Sequence, residues 1–376
     1  MIKKIKFLFH DMEIPYLLND DQIQTGGACV RMFIFSKGLI EQGHKVGILS
    51  FEGANKYVKD NKGLDIIDTY NLNKGLPMLK WLYYRIPNLY NKIRLYKPDV
   101  FISKSPGHML GVSAIICKLL KVKLVYMVTS DIMVDGIWQK KTNLSNRIFH
   151  RIGLLFANSI FCQNDYQLKQ VNMKYSDKKA FKIINPYLEV NHETAIPNSQ
   201  NRKYISWIGS FRKPKNLPGL YRIAVENPQY TFKIAGKEGG NIDGNIQMAI
   251  EKLKALENVI FTGYLNRKQL PELLSQSIAL LNTSFYEGFS NTFLEAFSVG
   301  TPVISLFSNP DCILTKNKVG FVVDENKVDK TIKNILQQQQ KDVLTTNIKN
   351  YVANYHDYKK LSKELANQIL VLESSN

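Results

Sequence analysis

Short apolar runs alternate with longer segments of helical apolar spacing along the whole chain, and this alternation constrains the fold more than any other feature. The runs cover residues 5–10, 45–51, 64–70, 99–105, 123–130 and 159–164, then 204–210, 230–236, 258–264, 278–284, 302–307 and 319–324. Strands that alternate with helices predict parallel sheets with helical crossovers. We therefore predict an α/β protein in which each half of the chain forms a doubly wound parallel sheet.

The chain length supports two domains of similar size, because 376 residues exceed what one hydrophobic core usually holds. Residues 184–203 are rich in Asn and Pro and poor in apolar periodicity, which predicts a linker. We expect an N-terminal domain over 1–190, a C-terminal domain over 191–355 and a C-terminal helix over 356–376 that packs back on the first domain. Ligands bind beyond the carboxyl ends of such strands, so we expect two facing sheets with the active site in the cleft between them.

Positive charge is concentrated in the first half. Residues 1–190 hold 28 Lys and Arg against 15 Asp and Glu, a net of +13, and the remaining 22 and 17 give +5 to the second half. Such a field attracts nucleic acid, anionic lipid or phosphorylated substrates. The four cysteines are far apart and form no C-x-x-C pair, which fits a reducing compartment.

The N-terminal segment does not resemble a signal peptide, since its short apolar run is followed at once by Asp11 and Glu13. No run approaches the roughly 18 apolar residues that a spanning helix needs. Residues 78–97 interleave aromatic with basic side chains, including Trp81, Lys92 and Arg94, which is typical of an interfacial surface. Pro87 argues against one long helix there, and an ordinary helix pair with a solvated basic face is an equally good interpretation.

The densest chemical signal is the segment 286–304. If 278–284 is a strand and a helix starts near Asn291 and closes at Gly300, the amides of the intervening turn form an anion site at a helix N-terminus. Glu295 would lie one turn inside that helix, within reach of ribose hydroxyls, and Glu287 on the loop would reach a bound sugar. An ordinary strand-to-helix turn with a solvated Glu287 is the alternative.

Two further loops follow predicted strands. After Gly209, the cations Arg212 and Lys215 precede a helix and are suited to a leaving diphosphate, although solvated basic loops are common. The pair Gly26 and Gly27 allows close approach of a ligand, but it lacks the G-x-G-x-x-G spacing of dinucleotide sites.

Other enzyme classes find little support. There is no G-x-S-x-G elbow for a serine hydrolase, and His108, after the fourth strand, is more simply explained as an exposed loop residue than as a cleft residue. There is no D-x-D pair for a divalent cation, so we predict metal-independent chemistry without a cofactor.

Taken in order, these segments resemble the retaining glycosyltransferases of family 4, which have the GT-B fold of two facing Rossmann-like domains. The resemblance covers nearly the whole chain and is strongest over 204–324. It rests on the glycine pair near the N-terminus, the two cations after the seventh run, the strand-end glycines and the sequence from Glu287 to Ile304 with the later Gly320.

The resemblance implies transfer of a sugar from a nucleotide-diphosphate sugar to an acceptor hydroxyl, with retention at the anomeric carbon by front-face substitution. Arg212, Lys215 and Glu287 would be the catalytic residues, the cations neutralising phosphate and the glutamate holding donor hydroxyls. The donor-binding residues would be Gly26, Gly27, Gly209, Gly263, Tyr264, Gly288, Phe289, Ser290, Asn291 and Glu295.

The chain departs from the family pattern on the acceptor side. Many members have Glu soon after the paired glycines, where this chain has Cys29, and many have His after the fifth strand, where it has Thr129, Ser130 and Asp131. We therefore name His108 and Asp131 as acceptor-side candidates.

The preferred interpretation is a glycosyltransferase that acts on a glycan or a lipid-linked acceptor in the synthesis of a cell-surface polysaccharide or glycoconjugate. We expect it to be cytoplasmic and peripheral on the inner membrane face, with the basic first half against anionic lipid and no nucleic-acid partner. A catalytically silent subunit that binds a nucleotide sugar or a partner transferase is the alternative.

Overall fold

The computed structural model describes residues 3–19, 25–76, 79–188, 202–237 and 243–374. The chain divides into two compact units. Unit 1 comprises Met1–Pro186 and Tyr358–Asn376, and unit 2 comprises Tyr187–Asp357. Residues 189–201, most of the predicted linker, lie outside the described residues.

Unit 1 contains a sheet of seven parallel strands in the order β3-β2-β1-β4-β5-β6-β7. Its strands are β1 (Lys6–His10), β2 (Lys45–Ser50), β3 (Asp65–Asp68), β4 (Val100–Ser103), β5 (Lys123–Met127), β6 (Ser159–Cys162) and β7 (Lys179–Lys182). All six predicted strands are present. The sequence prediction missed β7, whose KAFK sequence has only two apolar residues between lysines.

Helices flank this sheet at the crossovers. They are α1 (Ile14–Leu17), α2 (Gly27–Glu41), α3 (Ile86–Tyr96), α4 (His108–Leu120), α5 (Ile137–Lys141), α6 (Leu144–Phe156) and α7 (Asp165–Lys174). The C-terminal helix, α15 (Tyr358–Ser374), packs against α2. Gly38 permits that contact, because a Cβ there would lie 2.2 Å from Ser362 Oγ.

The aromatic and basic segment near residue 87 is helical on both sides of the proline. A π-helical stretch, Trp81–Arg85, leads into α3, and Pro87 lies in the first turn of α3. A proline in the first turn needs no N–H partner, and the wider π turn accommodates the change in helix geometry before it. The segment is therefore helical from Trp81 to Tyr96, although Pro87 suggested an interruption.

Unit 2 contains six parallel strands in the order β10-β9-β8-β11-β12-β13. The strands are β8 (Tyr204–Ile208), β9 (Phe232–Ala235), β10 (Val259–Gly263), β11 (Ser277–Asn282), β12 (Val303–Ser305) and β13 (Gly320–Val322). The helices are α8 (Leu217–Glu226), α9 (Gly244–Lys254), α10 (Leu270–Ser275), α11 (Asn291–Ser298), α12 (Ile313–Lys316), α13 (Val328–Leu336) and α14 (Gln338–Tyr355). The six predicted strands are all confirmed.

Both sheets are doubly wound, so the predicted Rossmann-like fold class of the two halves is confirmed. Their central strands are fully buried, with both faces covered by helices, as continuous apolar runs require. In each sheet the strand order reverses once, between β1 and β4 in unit 1 and between β8 and β11 in unit 2. These two positions are the topological switch points, where open sheets of this kind bind ligands. Among the described helices, none is both long and apolar enough to cross a lipid bilayer.

Candidate functional site

An ion pair occupies the switch point of unit 2. Lys215 follows β8, Glu287 follows β11, and the Lys215 ammonium contacts the Glu287 carboxylate. The two side chains are 18% and 17% exposed, so the pair is accessible from solvent at the sheet edge. The structure thus brings together two of the three predicted catalytic residues.

Hydrogen bonds fix the loop that carries this lysine. Trp207 Nε1 donates to Thr283 Oγ1 at 3.0 Å, and Thr283 Oγ1 donates to the backbone oxygen of Lys215 at 2.7 Å. The side chain of Asn216, at φ 51°, then accepts from Gly219 N and caps α8. Strand ends on both sides of the switch point therefore hold Lys215 in place.

The third predicted catalytic residue, Arg212, lies on the same loop and is exposed. Its Nε donates to Ser210 Oγ at 2.8 Å. Lys213 beside it is also exposed, so the loop presents cations around the ion pair. Such a loop offers the charge and the donors that a diphosphate requires.

Glycines end three neighbouring strands of unit 2 and leave a bare backbone surface, which we call the glycine shelf: Gly209, Gly236 and Gly263. Gly236 N donates to Gly263 O at 2.8 Å, and Gly209 N donates to Ala235 O at 3.1 Å. A Cβ on Gly236 would lie 1.9 Å from Gly209 O, so no side chain fits there. Gly263 has φ 74°, which favours glycine. The missing side chains leave room for a flat ligand group against the backbone.

Tyr264 lies at the outer end of the glycine shelf. The Lys237 ammonium lies 5.2 Å from the centroid of its ring, a cation–π distance. The ring is therefore held beside the glycines, where it was predicted to contact a nucleotide base.

The turn after β11 has the predicted form. Gly288, Phe289 and Ser290 are buried, and α11 begins at Asn291. The Ser290 side chain makes no capping bond and instead meets Thr292 Oγ1 at 2.8 Å. The first amides of α11 are thus not capped by Ser290, as an anion site requires.

Glu295 lies one turn inside α11 and is half-buried. Its backbone oxygen accepts from Ser298 Oγ at 2.7 Å. The helix ends as predicted, with Gly300 at φ 72° just after it.

Unit 1 also has an ion pair at its switch point, and the sequence analysis missed it. Lys104 follows β4, Asp11 follows β1, and Lys104 Nζ lies 2.8 Å from Asp11 Oδ2 and 3.4 Å from Glu13 Oε2. The Asp11 side chain is 0% exposed and that of Lys104 12%. Burial lowers the pKa of the Lys104 ammonium, but Asp11, Cys29 and Glu13 outweigh burial and raise that pKa above its ordinary value.

Asp11, Glu13 and Cys29 also form a candidate metal cluster, with ligand atoms within 4.8 Å of one another. The Lys104 ammonium already supplies a positive charge to both carboxylates. Burial, reinforced by Asp11, raises the pKa of the Cys29 thiol well above its ordinary value, which disfavours the thiolate that a metal would need. This cluster fits a lysine better than a metal ion.

The predicted Gly26 and Gly27 lie beside this cluster. Gly26 precedes α2 with φ −76°, so no positive φ is involved, and Gly27 is the first helical residue. A Cβ on Gly26 would lie 3.4 Å from Glu13 Oε2. The glycine pair therefore allows the acidic loop after β1 to approach the start of α2.

The two acceptor-side candidates lie on different elements of unit 1. Asp131 follows β5, and its Oδ1 accepts from Asn164 Nδ2 at 3.0 Å and from Gln167 Nε2 at 2.9 Å. Nearby, the buried Arg31 donates to Val128 O at 3.1 Å and supports the chain that leads to Asp131. Burial lowers the pKa of the Arg31 guanidinium to about 9.

His108 begins α4, and its ring contacts Ser145 Oγ and lies 5.0 Å from the Phe149 ring. Four other histidines in the described part of the chain are buried: His10, His44, His150 and His356. Burial lowers the pKa of His10, at the end of β1, and of His150, on α6, each to about 4. Both imidazoles are therefore neutral near pH 7.

One signal would have found Asp11 and Lys104 from the sequence. The switch-point rule points to the residues after the first and fourth strands of each sheet, and both charged residues occupy those positions. The resemblance is strongest over 204–324, in unit 2, whereas this rule applies equally to unit 1.

Residues 191–355 match the family described as Glycosyl transferases group 1. The match covers the part of the chain that contains the ion pair, the glycine shelf and the start of α11. A segment of 146 residues is 31% identical to O-antigen chain mannosyltransferase B of Escherichia coli, and it covers 37% of this chain and 37% of that protein. A longer segment of 226 residues is 27% identical to an uncharacterized 41.2 kDa protein in the cps region of Klebsiella pneumoniae, covering 55% of this chain and 60% of that one. The matched segments thus span less than two thirds of these relatives.

Solved structures extend the likeness to the whole chain. Sucrose-phosphate synthase from Thermosynechococcus elongatus superimposes with a TM-score of 0.75 at 15% identity, covering 99% of this chain and 100% of that one. WaaG, a glycosyltransferase involved in lipopolysaccharide biosynthesis, gives a TM-score of 0.68 at 15% identity, with 96% and 98% covered. At such identities the likeness establishes the fold, and the predicted GT-B fold class is confirmed.

Proposed function

We propose that the chain is a retaining glycosyltransferase of family 4 that moves a sugar from a nucleotide-diphosphate sugar to a hydroxyl of a glycan or lipid-linked acceptor. The observation that carries the proposal is the accessible Lys215–Glu287 ion pair at the switch point of unit 2. The group 1 match over 191–355 and the likeness to an O-antigen mannosyltransferase support it. The acceptor in this proposal is a growing cell-surface polysaccharide or glycoconjugate.

The ion pair is suited to receive the donor. Lys215 and Arg212 would neutralise the diphosphate, while the first amides of α11 would donate to it. Glu287 would accept hydrogen bonds from sugar hydroxyls, and Glu295 from ribose. Gly263 and Tyr264, at the end of the glycine shelf, would lie beside the base.

In the proposed reaction the bond from the anomeric carbon to the phosphate oxygen breaks as the bond to the acceptor oxygen forms on the same face. The acceptor proton passes to the leaving phosphate oxygen, so no protein nucleophile is needed. Cations that stabilise the developing phosphate charge supply the main catalytic effect. We propose that no metal takes part, which is supported by the Lys104 ammonium at the candidate metal cluster.

A thermal-shift screen of the purified protein against nucleotide diphosphates and their sugars tests donor binding, because a ligand that binds the folded state raises the melting temperature. Transfer is then measured with the stabilising donor and a panel of glycan acceptors, with and without EDTA. NMR of the product gives the configuration at the anomeric carbon. Inversion would contradict the retaining mechanism, and donor binding without hydrolysis or transfer would favour the silent binding subunit.

We further propose that the chain acts at the cytoplasmic face of an anionic membrane. The segment around α3 supports this, because Leu82 and Leu95 are 73% and 76% exposed beside Lys92, Arg94 and Lys97. Exposed apolar side chains next to cations suit a lipid interface. Sedimentation with anionic vesicles tests the proposal, and no sedimentation even at low salt would refute it.

A further inference from the structure

Several strands of the unit 1 sheet begin with lysine. Four of the seven strands of unit 1 begin with lysine, whereas none of the six strands of unit 2 does. Parallel strands start at the same edge, so these lysines lie at the amino edge, opposite the switch point. The strands that begin with lysine are those starting at Lys6, Lys45, Lys123 and Lys179.

A cavity of about 540 Å3 lies at this edge, between the ends of α4 and α6 and the starts of β5 and β7. We call this cavity the lysine pocket. The charged residues that line it are five lysines and one aspartate: Lys118, Lys121, Lys123, Lys178, Lys179 and Asp177. Lys178 contacts both the Leu155 carbonyl and, at 3.6 Å, Asp177. Lys118, Lys121 and Lys179 add further positive charge to the lining, so the pocket attracts anions.

Lysines near helix ends often serve only to balance the negative end of a helix. That explanation suits Lys178, which contacts the last turn of α6. It does not explain the apolar side chains around the pocket. Leu155 lines the pocket and is 58% exposed, and Leu119, which follows Lys118 in the sequence, is 69% exposed.

These leucines belong to a longer apolar surface on α4 and α6. At helical spacing, α4 exposes Ile115 and Leu119, and α6 exposes Leu144, Ile148 and Leu155. Neither helix contains an acidic residue. A surface of exposed leucine and isoleucine that carries lysine and arginine but no carboxylate is complementary to an anionic lipid interface.

The two helices form a rigid base for this surface. A Cβ on Gly111 would lie 2.4 Å from the Phe149 backbone oxygen, and a Cβ on Gly153 would lie 2.3 Å from Leu110 Cγ. Such close packing fixes the exposed side chains relative to the pocket.

We propose that the lysine pocket binds the phosphate headgroup of an anionic membrane lipid, while Leu119 and Leu155 insert at the lipid interface. This inference rests on the proposed action at a membrane and names a second contact besides α3. The lysine pocket itself lies at the amino edge of the sheet, opposite the switch point.

Sedimentation of the full chain with phosphatidylglycerol–phosphatidylcholine vesicles, without donor, tests the inference. Lys118→Gln/Lys121→Gln/Lys179→Gln should weaken partitioning about a hundredfold, because each lysine at such a surface contributes a factor of about five. The matched control is Lys316→Gln/Lys330→Gln/Lys349→Gln, which removes three exposed lysines from unit 2 and should sediment as the wild type does. Wild-type partitioning of the pocket variant would overturn the inference.

Further variants separate the sources of the anion. Leu119→Ser/Leu155→Ser should weaken partitioning about tenfold or more. If this leucine variant partitioned as the wild type does, and inorganic phosphate released the protein from the vesicles, the pocket would be a free phosphate site and the lipid assignment would be overturned. If light scattering showed that the wild type is an oligomer and this variant a monomer, the leucines would belong to a self-association surface instead.

One comparison keeps the inference distinct from the membrane proposal. If Lys92→Gln/Arg94→Gln/Lys97→Gln abolished sedimentation while the pocket variant retained it, action at a membrane would stand and the lysine pocket would fail. Circular dichroism and melting temperatures of all variants confirm that each is folded.

Discussion

The switch points of the two units have the same topology, and each places a lysine against a carboxylate, but the two ion pairs differ in burial. Asp11 and Lys104 in unit 1 are 0% and 12% exposed, whereas Lys215 and Glu287 in unit 2 are 18% and 17% exposed. A buried pair compensates its own charges and holds chain segments together, while an accessible pair is available to a ligand. The accessible pair of unit 2 is thus the one that suits the proposed donor-binding role.

The ends of the strands beside the two ion pairs also differ between the units. In unit 2, Gly209, Gly236 and Gly263 leave bare backbone beside the ion pair. In unit 1, the buried ring of His10 ends β1 beside the Asp11–Lys104 pair. A buried ring thus lies beside the unit 1 pair, where bare backbone lies beside the unit 2 pair.

The largest effect expected is on the stability of unit 1. Lys104→Met leaves the buried Asp11 carboxylate without its cation, with the Glu13 N–H still donating to it, so unfolding should require about 3–5 kcal/mol less free energy. Urea denaturation measures this, and Lys104→Met/Asp11→Asn should recover part of the loss. Lys215→Met should cost only about 1 kcal/mol. Equal losses at both pairs would remove the distinction between them.

The next effect concerns activity in unit 2. Lys215→Met and Arg212→Ala should each lower kcat/KM for transfer by about 10²–10³-fold, the usual consequence of removing one group that stabilises developing charge. Glu287→Gln should mainly weaken binding of the sugar part of the donor. Steady-state kinetics with the donor found by thermal shift measure these changes, and wild-type rates would refute the site assignment.

The glycine shelf gives the third prediction. Gly236→Ala should lower stability by about 2–3 kcal/mol and weaken donor binding, because the new Cβ would collide with Gly209 O. Gly263→Ala should cost only about 1 kcal/mol, since no heavy atom of the described residues lies within 4 Å of its Cβ position and only the positive φ opposes it. Melting temperatures and donor titrations compare the two variants. Equal effects would mean that the close approach of Gly236 to Gly209 O is unimportant.

The smallest effect is the pH dependence due to His10. The unfolded imidazole binds a proton below about pH 6.5, but burial lowers the folded pKa to about 4. The unfolded state therefore binds more protons between these values, and stability falls as the pH drops through that window.

His10→Leu should accordingly remove about 2 kcal/mol of the stability lost between pH 7 and pH 5. Neither ring nitrogen of His10 has a hydrogen-bond partner in the described part of the chain, so the replacement should be tolerated at pH 7. His108→Gln, at a partly exposed ring, is the control that should keep the wild-type slope. An unchanged slope in His10→Leu would show that the imidazole is hydrated.

Sequence reasoning found twelve of the thirteen strands because buried parallel strands are continuous apolar runs. It missed β7, where lysines at both ends leave an apolar run of only two residues. It named Lys215 and Glu287 separately, although they are 72 residues apart in the sequence, and the fold brought them into contact. Lys104 and Asp11 are 93 residues apart in the sequence, and no short motif contains either of them.

The sequence by itself determined the α/β class, the number of sheets and the helix that begins at Asn291, because these follow from local apolar spacing and from turn residues such as Gly300. The tertiary structure decided which charged residues meet and how far water reaches them. Contact and burial depend on strand order, which joins residues distant in the chain. That is why the same pairing of lysine with carboxylate is buried in unit 1 and accessible in unit 2.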